Sequence, residues 1–491
     1  MQLKVKSLNL LVGRPVAMIH ESTANELSVY QGDRIRIKHH HSIAAVVNIA
    51  TGILKENEIY LSKEVMRHIE ARENSTVEVS VESPPHTTKF ILDKLNKEEL
   101  DYSKLYEIVG DMVHNKLTEA EIAYFVSGVY INGLTNKEAA SLSKAMAKFG
   151  NIFEAKGNVY DKHSVGGIAG NRTTPLIIPI CAAAGLKMPK TSSRAITSAA
   201  GTADVIETLA KVEFSIGELN QIIKKAGACM VWGGALGLAP ADDKIIRVER
   251  LIRLDPEAQL ISSILSKKLA VKSKGVLIDI SYGKTAKKKT KLEADKLKSR
   301  FEKVAKLLRL NVKVITTDGS QPIGNGVGPI LEARDILLVL SRSPNRPLDL
   351  ERKSINLAGI ILEMSGKSKP GKGKILAKKL LESGQAFEKF KEIITAQKGV
   401  VDLEKLTPGT SHCVIQARKS GKVKEISNRA IAAVCRAAGC PTDKGAGMYL
   451  KVHNGSKVKK GDTLFHLYAE TPEKLNFARR SYARRQPILV G

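Results

Sequence analysis

Two segments rich in glycine and hydroxyl side chains, about thirty residues apart, contain the residue types that bind phosphate. The first is Asp161-Lys-His-Ser-Val-Gly-Gly-Ile-Ala-Gly-Asn171, and the second is Ser192-Ser-Arg-Ala-Ile-Thr-Ser-Ala-Ala-Gly-Thr-Ala-Asp-Val-Ile-Glu207. Glycines let backbone N–H groups approach a ligand, and Lys162 and Arg194 add charge-assisted donors. The apolar run from Pro175 to Gly185 predicts a buried helix between the two loops. Loops at helix starts suit tetrahedral oxyanions, so the pattern indicates one phosphate site or two.

The residues alone leave the ligand open. Neither the P-loop pattern nor the dinucleotide GxGxxG fingerprint is present in this region. A pair of glycines is also typical of an ordinary strand-to-helix turn, and serine and threonine are common helix caps. Two such loops, each with a basic residue, favour a ligand site over two turns.

The length and composition are those of a multidomain protein. The 491 residues suggest three or so domains, and 43% hydrophobic residues are ample for their cores. No apolar run is long enough to cross a bilayer, and the start of the chain lacks the apolar segment of a signal peptide. The five cysteines are widely spread and form no CxxC pair. We therefore expect a cytoplasmic, reduced protein without a membrane or metal association.

The net charge of +28, from 78 Lys and Arg against 50 Asp and Glu, is strongly basic. Such a charge is common in nucleic-acid-binding proteins. Here the lysines are scattered, aromatic residues make up only 4%, and no nucleic-acid-binding motif is present. The densest runs, Lys284 to Lys298 and Lys367 to Lys379, indicate solvated faces and loops. The composition thus disfavours a nucleic-acid partner, and the positive potential would draw phosphate and nucleotide toward a cleft.

The first 84 residues predict a small β-barrel. Four segments have period-two or continuous β-branched patterning, namely Leu3 to Leu10, Asp33 to Lys38, Ala44 to Ala50 and Thr76 to Val81. Pro84 and Pro85 end the module, because two prolines resist both helix and strand. The module contains no catalytic constellation, which indicates a role in assembly or support.

The rest of the chain predicts three further regions. A helical lobe over 85–157 contains two capping boxes, Thr118 to Glu121 and Thr135 to Glu138. A central α/β domain over 158–409 alternates helices with strands such as Gly275 to Ile280 and Leu310 to Thr316, which predicts a mostly parallel sheet. A C-terminal α+β domain covers 410–491, with a helix from about Asn428 to Gly439 between short strands. The predicted fold class is multidomain α/β.

Five separated motifs in this order resemble the nucleoside phosphorylase-II family, from about Leu92 to the C-terminus. The motifs are Lys162 to Gly167, Ser193 to Glu207, Leu238 to Asp242, Ser262 to Lys268 and Thr317 to Pro329. The resemblance implies that a segment at about 238–270 rejoins the helical lobe. It also implies that the helical lobe moves against the α/β domain to close a cleft, and that the chain forms a homodimer or larger homo-oligomer.

Departures from the family pattern indicate the subfamily. Thymidine phosphorylases have glycine on both sides of the signature arginine, whereas Arg194 lies between Ser193 and Ala195. The run Ser198-Ala-Ala-Gly-Thr202 replaces their His-Thr-Gly-Gly-Thr. This version, and the extra N-terminal module, are similar to the archaeal subfamily that cleaves nucleoside monophosphates, the AMP phosphorylases. A thymidine or pyrimidine-nucleoside phosphorylase remains the alternative within the family.

The resemblance implies roles for individual residues. Inorganic phosphate would be bound by Lys162, Ser164, Ser192 and Thr174, with Thr173 as a companion of Thr174. The nucleotide would be held by Gly167, Ser193, Arg194, Ala195, Ile196, Thr197, Ser198, Thr202, Ser263 and Lys287. Arginine suits bidentate contact with the 5′-phosphate, which is the favoured role of Arg194, and a structural ion pair with an acidic neighbour is the alternative.

Asp255 is the expected proton donor to the leaving base. In isolation, an aspartate before a proline is more often a turn residue than an acid, so only the resemblance singles out Asp255. Its pKa would have to be raised for this role. Either Arg247 or Arg250 could contact the base, and His163 could be a general base or simply a packed histidine.

The resemblance thus implies that AMP, CMP or UMP and phosphate react to free base and ribose 1,5-bisphosphate. Nothing in the sequence implies a metal or organic cofactor. Inorganic phosphate is expected to be a co-substrate. A phosphoribosyltransferase resembling the anthranilate enzyme is a more distant alternative, because that group uses a different Gly-Thr-Gly-Gly-Asp loop. From another class, a basic RNA-binding protein on a phosphorylase scaffold also remains open.

Overall fold

The computed structural model describes residues 1–153, 155, 157–195, 198–252, 254 and 256–491. Contacts between residues divide the chain into two compact units. The first unit contains Met1–Phe149 and Ala239–Ser263, and the second contains Gly150–Leu238 and Ile264–Gly491. Three predicted site residues, Ile196, Thr197 and Asp255, lie outside the described residues.

Six strands close into a barrel at the start of the first unit, in the order β1-β5-β2-β4-β3-β6. The elements are β1 Gln2–Ser7, β2 Val16–His20, α1 Glu21–Leu27, β3 Arg34–Lys38, β4 Ser42–Ala50, β5 Glu58–Leu61, α2 Lys63–His68 and β6 Thr76–Val81. Alternating side chains such as Val77 and Val79 point into the core, while their neighbours are exposed. The predicted barrel is confirmed. The sequence pattern missed β2, β5 and both helices, because elements of four to seven residues give too little periodicity.

A helical bundle follows in the same unit. It comprises α3 Thr87–Leu95, α4 Tyr102–Val113, α5 Glu119–Asn132 and α6 Asn136–Lys148. Both predicted capping boxes are confirmed at the starts of α5 and α6. The buried carboxylate of Glu138 also accepts hydrogen bonds from Lys94 Nζ at 2.8 Å and from the backbone N–H of Leu100 at 2.9 Å. These contacts satisfy a charge that would otherwise be costly to bury.

The second unit begins with parallel strands and their connecting helices. The elements are β7 Tyr160–Val165, α7 Thr174–Ala183, β8 Met188–Ser192, α8 Thr202–Ile206, α9 Ile216–Ala226 and β9 Ala228–Trp232. Strands β8 and β9 pair in parallel, and a parallel bridge between Val159 and Lys187 links the starts of β7 and β8. The apolar helix α7 is buried along almost its whole length, as the run from Pro175 to Gly185 predicts.

Two helices come next along the chain, α10 Pro240–Ile252 and α11 Glu257–Ala270. Residues 239–263 belong to the first unit. There Ala241, Ile245 and Val248 of α10 join the buried core of the helical bundle. The apolar residues of α10 recur every three or four positions, which gives the helix one buried face.

The chain then completes the central sheet and its covering helices. The elements are β10 Gly275–Tyr282, α12 Lys291–Leu307, β11 Val312–Asp318, β12 Gly326–Val327, α13 Pro329–Leu340, α14 Leu348–Met364, α15 Gly373–Glu382 and α16 Gln385–Ala396. Strands β7 and β11 each pair in parallel with β10. Parallel strands end at the same edge of a sheet, so the segments after β7, β8, β10 and β11 lie at one edge.

The C-terminal domain contains two small antiparallel sheets. Its elements are β13 Ser411–Gln416, β14 Gly421–Ile426, α17 Asn428–Ala437, β15 Gly447–Leu450, β16 Lys457–Val458, β17 Thr463–Ala469, α18 Pro472–Arg485 and β18 Ile488–Val490. The sheet orders are β12-β15-β17-β13 and β16-β14-β18. Within the part of the chain that the structure describes, no helix combines the length and apolarity needed to span a membrane.

Candidate active site

Lys162 lies at the centre of the predicted phosphate site. Its side chain projects from β7 into a fully buried position. The ammonium group donates to the hydroxyls of Ser164, of Thr173 at 2.9 Å and of Thr174 at 3.4 Å. Thr173 and Thr174 are placed there because α7 begins where the chain returns from the loop after β7. The structure thus brings Lys162, Ser164 and Thr174 together around one ammonium group.

The site also contains two ionisable groups that are not among the residues predicted from the sequence, Asp279 and Lys353. Asp279 on β10 is fully buried and lies opposite Ser164 in the parallel register. Its carboxylate accepts a hydrogen bond from Thr317 Oγ1 at 2.6 Å and forms an ion pair with Lys353 at 3.3 Å. The sequence did contain a signal for Asp279, because an aspartate within the apolar strand Gly275–Tyr282 is expected to be buried. A buried carboxylate without a partner is energetically costly, so a nearby cation could have been expected. Lys353, on α14, gave no such signal.

Burial lowers the pKa of Lys162 to about 7, although the negative charge of Asp279 partly opposes the shift. The positive charges of Lys353, Lys190 and Arg172 lower the pKa further. The Lys162 amine therefore changes its charge near neutral pH. A bound anion would favour the protonated form, because an opposite charge stabilises an ammonium group.

A second buried cluster lies one residue earlier on the same strand. Asp161 is buried and pairs with Lys268 at 2.5 Å and with Lys190 at 3.6 Å. Burial lowers the pKa of Lys190 to about 8, and the charge of Asp161 opposes the shift. Among the described residues, Lys190 and Lys268 pair with Asp161, and Lys353 pairs with Asp279.

The loop after β8 is held against the start of α8. Asp204 Oδ2 accepts hydrogen bonds from the backbone N–H groups of Ala195 and Gly201, both at 2.7 Å. Gly201 is required by the close approach, since a Cβ atom there would lie 2.4 Å from the carbonyl oxygen of Ser193. The structure thus brings the predicted residues Ser193 and Ala195 next to Thr202, the first residue of α8.

Arg194 is engaged with carboxylates in the described structure. Its guanidinium donates two hydrogen bonds to Glu207, at 2.6 and 2.7 Å, and one to Glu213 at 2.9 Å. It also lies over the ring of Trp232, 5.0 Å from the ring centre. The hydrogen bonds from Arg194 are the main cause that lowers the pKa of Glu207 to about 2. The acidic-neighbour interpretation of Arg194 therefore has a structural basis.

The remaining predicted residues of the second unit lie in loops or, for Ser192, at the end of β8. Gly167 has a positive φ of 67°, and Lys287 is close to it because the Lys287 backbone N–H donates to the Gly166 carbonyl at 2.9 Å. The hydroxyl of Ser192 donates to the Val231 carbonyl at 3.2 Å, and that of Ser198 to the Ala200 carbonyl at 2.9 Å. Both hydroxyls are thus partnered with backbone.

Two predicted contacts lie in the first unit. Ser263 on α11 donates its hydroxyl hydrogen to the buried Asp242 at 2.7 Å. Arg247, one of the two candidate base contacts, forms a 3.8 Å ion pair with Glu119 and lies near Gly13 of the barrel. The contacts with Glu119 and Gly13 place Arg247 on the barrel side of α10.

His163 is an unprotonated imidazole in this environment. Burial, and then the charges of Lys268 and Lys190, hold its pKa well below the usual value. The ring therefore offers one donor and one acceptor nitrogen rather than a charge. Among the described residues, no cluster of three or more His, Cys, Asp and Glu side chains could hold a metal ion.

Three family models match successive parts of the chain. Residues 88–150 match the helical bundle domain of a glycosyl transferase family, and residues 156–287 match the a/b domain of that family. Residues 422–488 match the pyrimidine nucleoside phosphorylase C-terminal domain. Anthranilate phosphoribosyltransferase from Thermus thermophilus has a similar fold, with a TM-score of 0.54 and 16% identity over 63% of this chain and 99% of that enzyme. The fold and site define a glycosyl transferase.

Curated relatives identify the branch. An AMP phosphorylase from Thermococcus kodakarensis is 43% identical over 100% of this chain and 98% of its own length. An AMP phosphorylase from Methanocaldococcus jannaschii is 40% identical over 99% and 97%. A putative thymidine phosphorylase from Legionella pneumophila is 43% identical over 92% of this chain and 87% of its own length. The chain belongs to the AMP phosphorylase family.

The position of Lys353 yields a test of the oxyanion site. We expect Lys353→Met to weaken sulfate binding about tenfold, the factor that corresponds to about 1.4 kcal/mol. Without Lys353, the buried Asp279 carboxylate would attract the Lys162 ammonium and compete with the anion. Isothermal titration with sulfate measures the effect. Arg352→Met, a substitution at the exposed neighbouring position, is the control. Equal affinities of the two variants would contradict this role of Lys353.

Proposed function

We propose that the protein catalyses the phosphorolysis of nucleoside 5′-monophosphates, converting AMP and inorganic phosphate to adenine and ribose 1,5-bisphosphate. CMP and UMP are further proposed substrates. The observation that carries the proposal is the buried Lys162 with three hydroxyl partners, at the edge of a parallel sheet, in a chain of the AMP phosphorylase family. The enzyme is a pentosyltransferase, and phosphate is its second substrate, with no further cofactor in the proposal.

Inorganic phosphate is proposed to bind at Lys162, Ser164, Thr174 and Ser192. The three hydroxyls can donate to phosphate oxygens once they exchange their present partners, and the Lys162 ammonium supplies charge. A phosphate oxygen held there could attack C1′ of the ribose as the glycosidic bond breaks. Most of the acceleration would then come from positioning and from electrostatic stabilisation of the developing charges.

The nucleotide is proposed to bind at the loop from Ser193 to Ser198, with Gly167, Thr202, Ser263 and Lys287. The 5′-phosphate would replace Glu213 at the Arg194 guanidinium, because Glu213 is half exposed and its ion pair is the easier one to exchange. Glu207 would keep its two hydrogen bonds and hold the guanidinium in place. This arrangement would distinguish a monophosphate from a nucleoside. The resemblance to nucleoside phosphorylases also supports a cytoplasmic homodimer or larger homo-oligomer.

The test of the function is phosphate-dependent release of free base from AMP, CMP and UMP, compared with adenosine, uridine and thymidine under identical conditions. We expect release from the monophosphates only, since a 5′-phosphate is needed to engage the Arg194 loop. Release from thymidine or uridine alone would instead assign the chain to the activity named for the Legionella relative. Release from none of the six would refute a phosphorylase function.

Asp255 is the proposed proton donor to the leaving base. We expect Asp255→Asn to lower the turnover of AMP at least about a hundredfold, the scale usual for a general acid. The substitution preserves the shape of the side chain, so circular dichroism and thermal unfolding should be unchanged. Asp243→Asn, at an exposed position on α10, is the matched control. Unchanged turnover of Asp255→Asn would remove Asp255 from the mechanism.

A further inference from the structure

The outer face of the sheet β16-β14-β18 in the C-terminal domain presents several cations side by side. On β14, Lys422 and Lys424 are exposed on either side of the buried Val423, and the register with β18 shifts between Val423 and Glu425. Lys457 on β16 is also exposed and lies directly opposite Lys422 in the antiparallel register. Lys422 and Lys457 therefore project to the same side of the sheet, and the exposed Lys424 lies next to them on β14.

Two turns extend this row at one end of the sheet. The backbone N–H of Gly461 donates to the Ala417 carbonyl at 2.9 Å, and that of Lys460 donates to Ser420 Oγ at 2.9 Å. Each turn carries two exposed cations. We call the combined surface the C-terminal basic face, which comprises Arg418, Lys419, Lys422, Lys424, Lys457, Lys459 and Lys460.

None of these seven cations has an ion-pair partner among the residues that the structure describes. The one carboxylate of the two turns, Asp462, accepts a hydrogen bond from the backbone N–H of Lys459. By contrast, Lys474 of the same domain pairs with Asp443 at 2.5 Å, and Lys444 pairs with Glu207 at 2.6 Å. Like charges directly opposite across two strands are destabilising. The arrangement of Lys422 and Lys457 thus has a cost that an external anion would remove.

We propose that the C-terminal basic face binds the phosphodiester backbone of an RNA strand without reading its bases. Exposed lysines side by side on two adjacent strands suit a polymer of repeating negative charge. The seven side chains include no aromatic ring on which a base could stack, so binding is independent of sequence. The fold assembles the row from two separated segments, Arg418 to Lys424 and Lys457 to Lys460.

RNA is also a chemical source of the proposed substrates, and this link rests on the proposed function. Hydrolysis of an RNA strand to 5′-mononucleotides is the class of reaction that would supply AMP, CMP and UMP together. An enzyme held on the strand would meet these products where they are released. The binding itself is a property of the C-terminal basic face and is measured independently of phosphorolysis.

The test is the fluorescence anisotropy of labelled oligouridine with the full-length protein. We expect Lys422→Gln/Lys424→Gln/Lys457→Gln to raise the Kd at least about tenfold and to lower the salt slope by about 2. The matched control, Lys291→Gln/Lys296→Gln/Lys303→Gln, removes three exposed charges from α12 and should change the Kd less than about twofold. Phosphorolysis by both triple variants should equal that of the unaltered protein.

Three results would overturn the proposal. Equal weakening by the two triple variants would attribute binding to overall charge rather than to the C-terminal basic face. Binding to phosphatidylserine vesicles through the same lysines, with none to RNA, would identify a lipid surface instead. For the unaltered protein, seven phosphate contacts predict a slope of log K against log salt of up to about −5. A slope shallower than about −2 would mean too few phosphate contacts for the C-terminal basic face to be the binding site. The slope needs no variant, so a misfolded triple variant leaves the proposal testable.

Discussion

An excess of buried positive charge is the constraint on which the central domain depends. Lys162, Lys190 and Lys268 are buried and Lys353 is nearly so. Among the described residues, the buried carboxylates that form ion pairs within this group are Asp161 and Asp279. Removing four ammonium groups from water is expensive, and two carboxylates offset only part of the cost. The protein responds by lowering the pKa of Lys162 to about 7 and that of Lys190 to about 8. A phosphate dianion would balance the remaining positive charge of the lysines. The charge of the proposed substrate therefore fits the charge of the site.

The parallel sheet makes this arrangement possible. Adjacent parallel strands place residues of equal register side by side, which puts Asp279 opposite Ser164 and close to the side chain of Lys162. The same geometry brings the segments after β7, β8, β10 and β11 to one edge, the edge at which open α/β sheets bind their ligands. Gly166 fits this edge because a Cβ atom there would lie 2.8 Å from Cβ of Ser281. The parallel sheet therefore accounts both for the close packing of the loops and for the position of the buried charges.

Local patterns in the sequence were sufficient for much of the fold. The barrel and the capping boxes of α5 and α6 follow from alternation and from side-chain to backbone hydrogen bonds over three residues. The proximity of Ser164 and Thr174 to Lys162 could be predicted, because the three residues lie within a short stretch of chain; their role in phosphate binding stays a prediction. Lys353 was missed, because it comes from a distant helix and only the packing of α14 brings it to Asp279. The same reason applies to the C-terminal basic face, which combines cations more than thirty residues apart. The sequence suggested that an acidic neighbour could pair with Arg194. It could not show which carboxylates contact the guanidinium, or at what distances.

Proton uptake on anion binding tests the electrostatic account most directly. Sulfate keeps a constant charge between pH 6 and 8, so any proton taken up must go to the protein or the buffer. Calorimetric titration of the full-length protein with sulfate, in two buffers of different ionisation enthalpy, counts these protons. Since Lys162 has a pKa of about 7, we predict an uptake close to one proton at pH 8 and about a tenth of a proton at pH 6. An uptake at pH 8 no larger than that at pH 6 would contradict the claim that the anion completes the buried charge around Lys162.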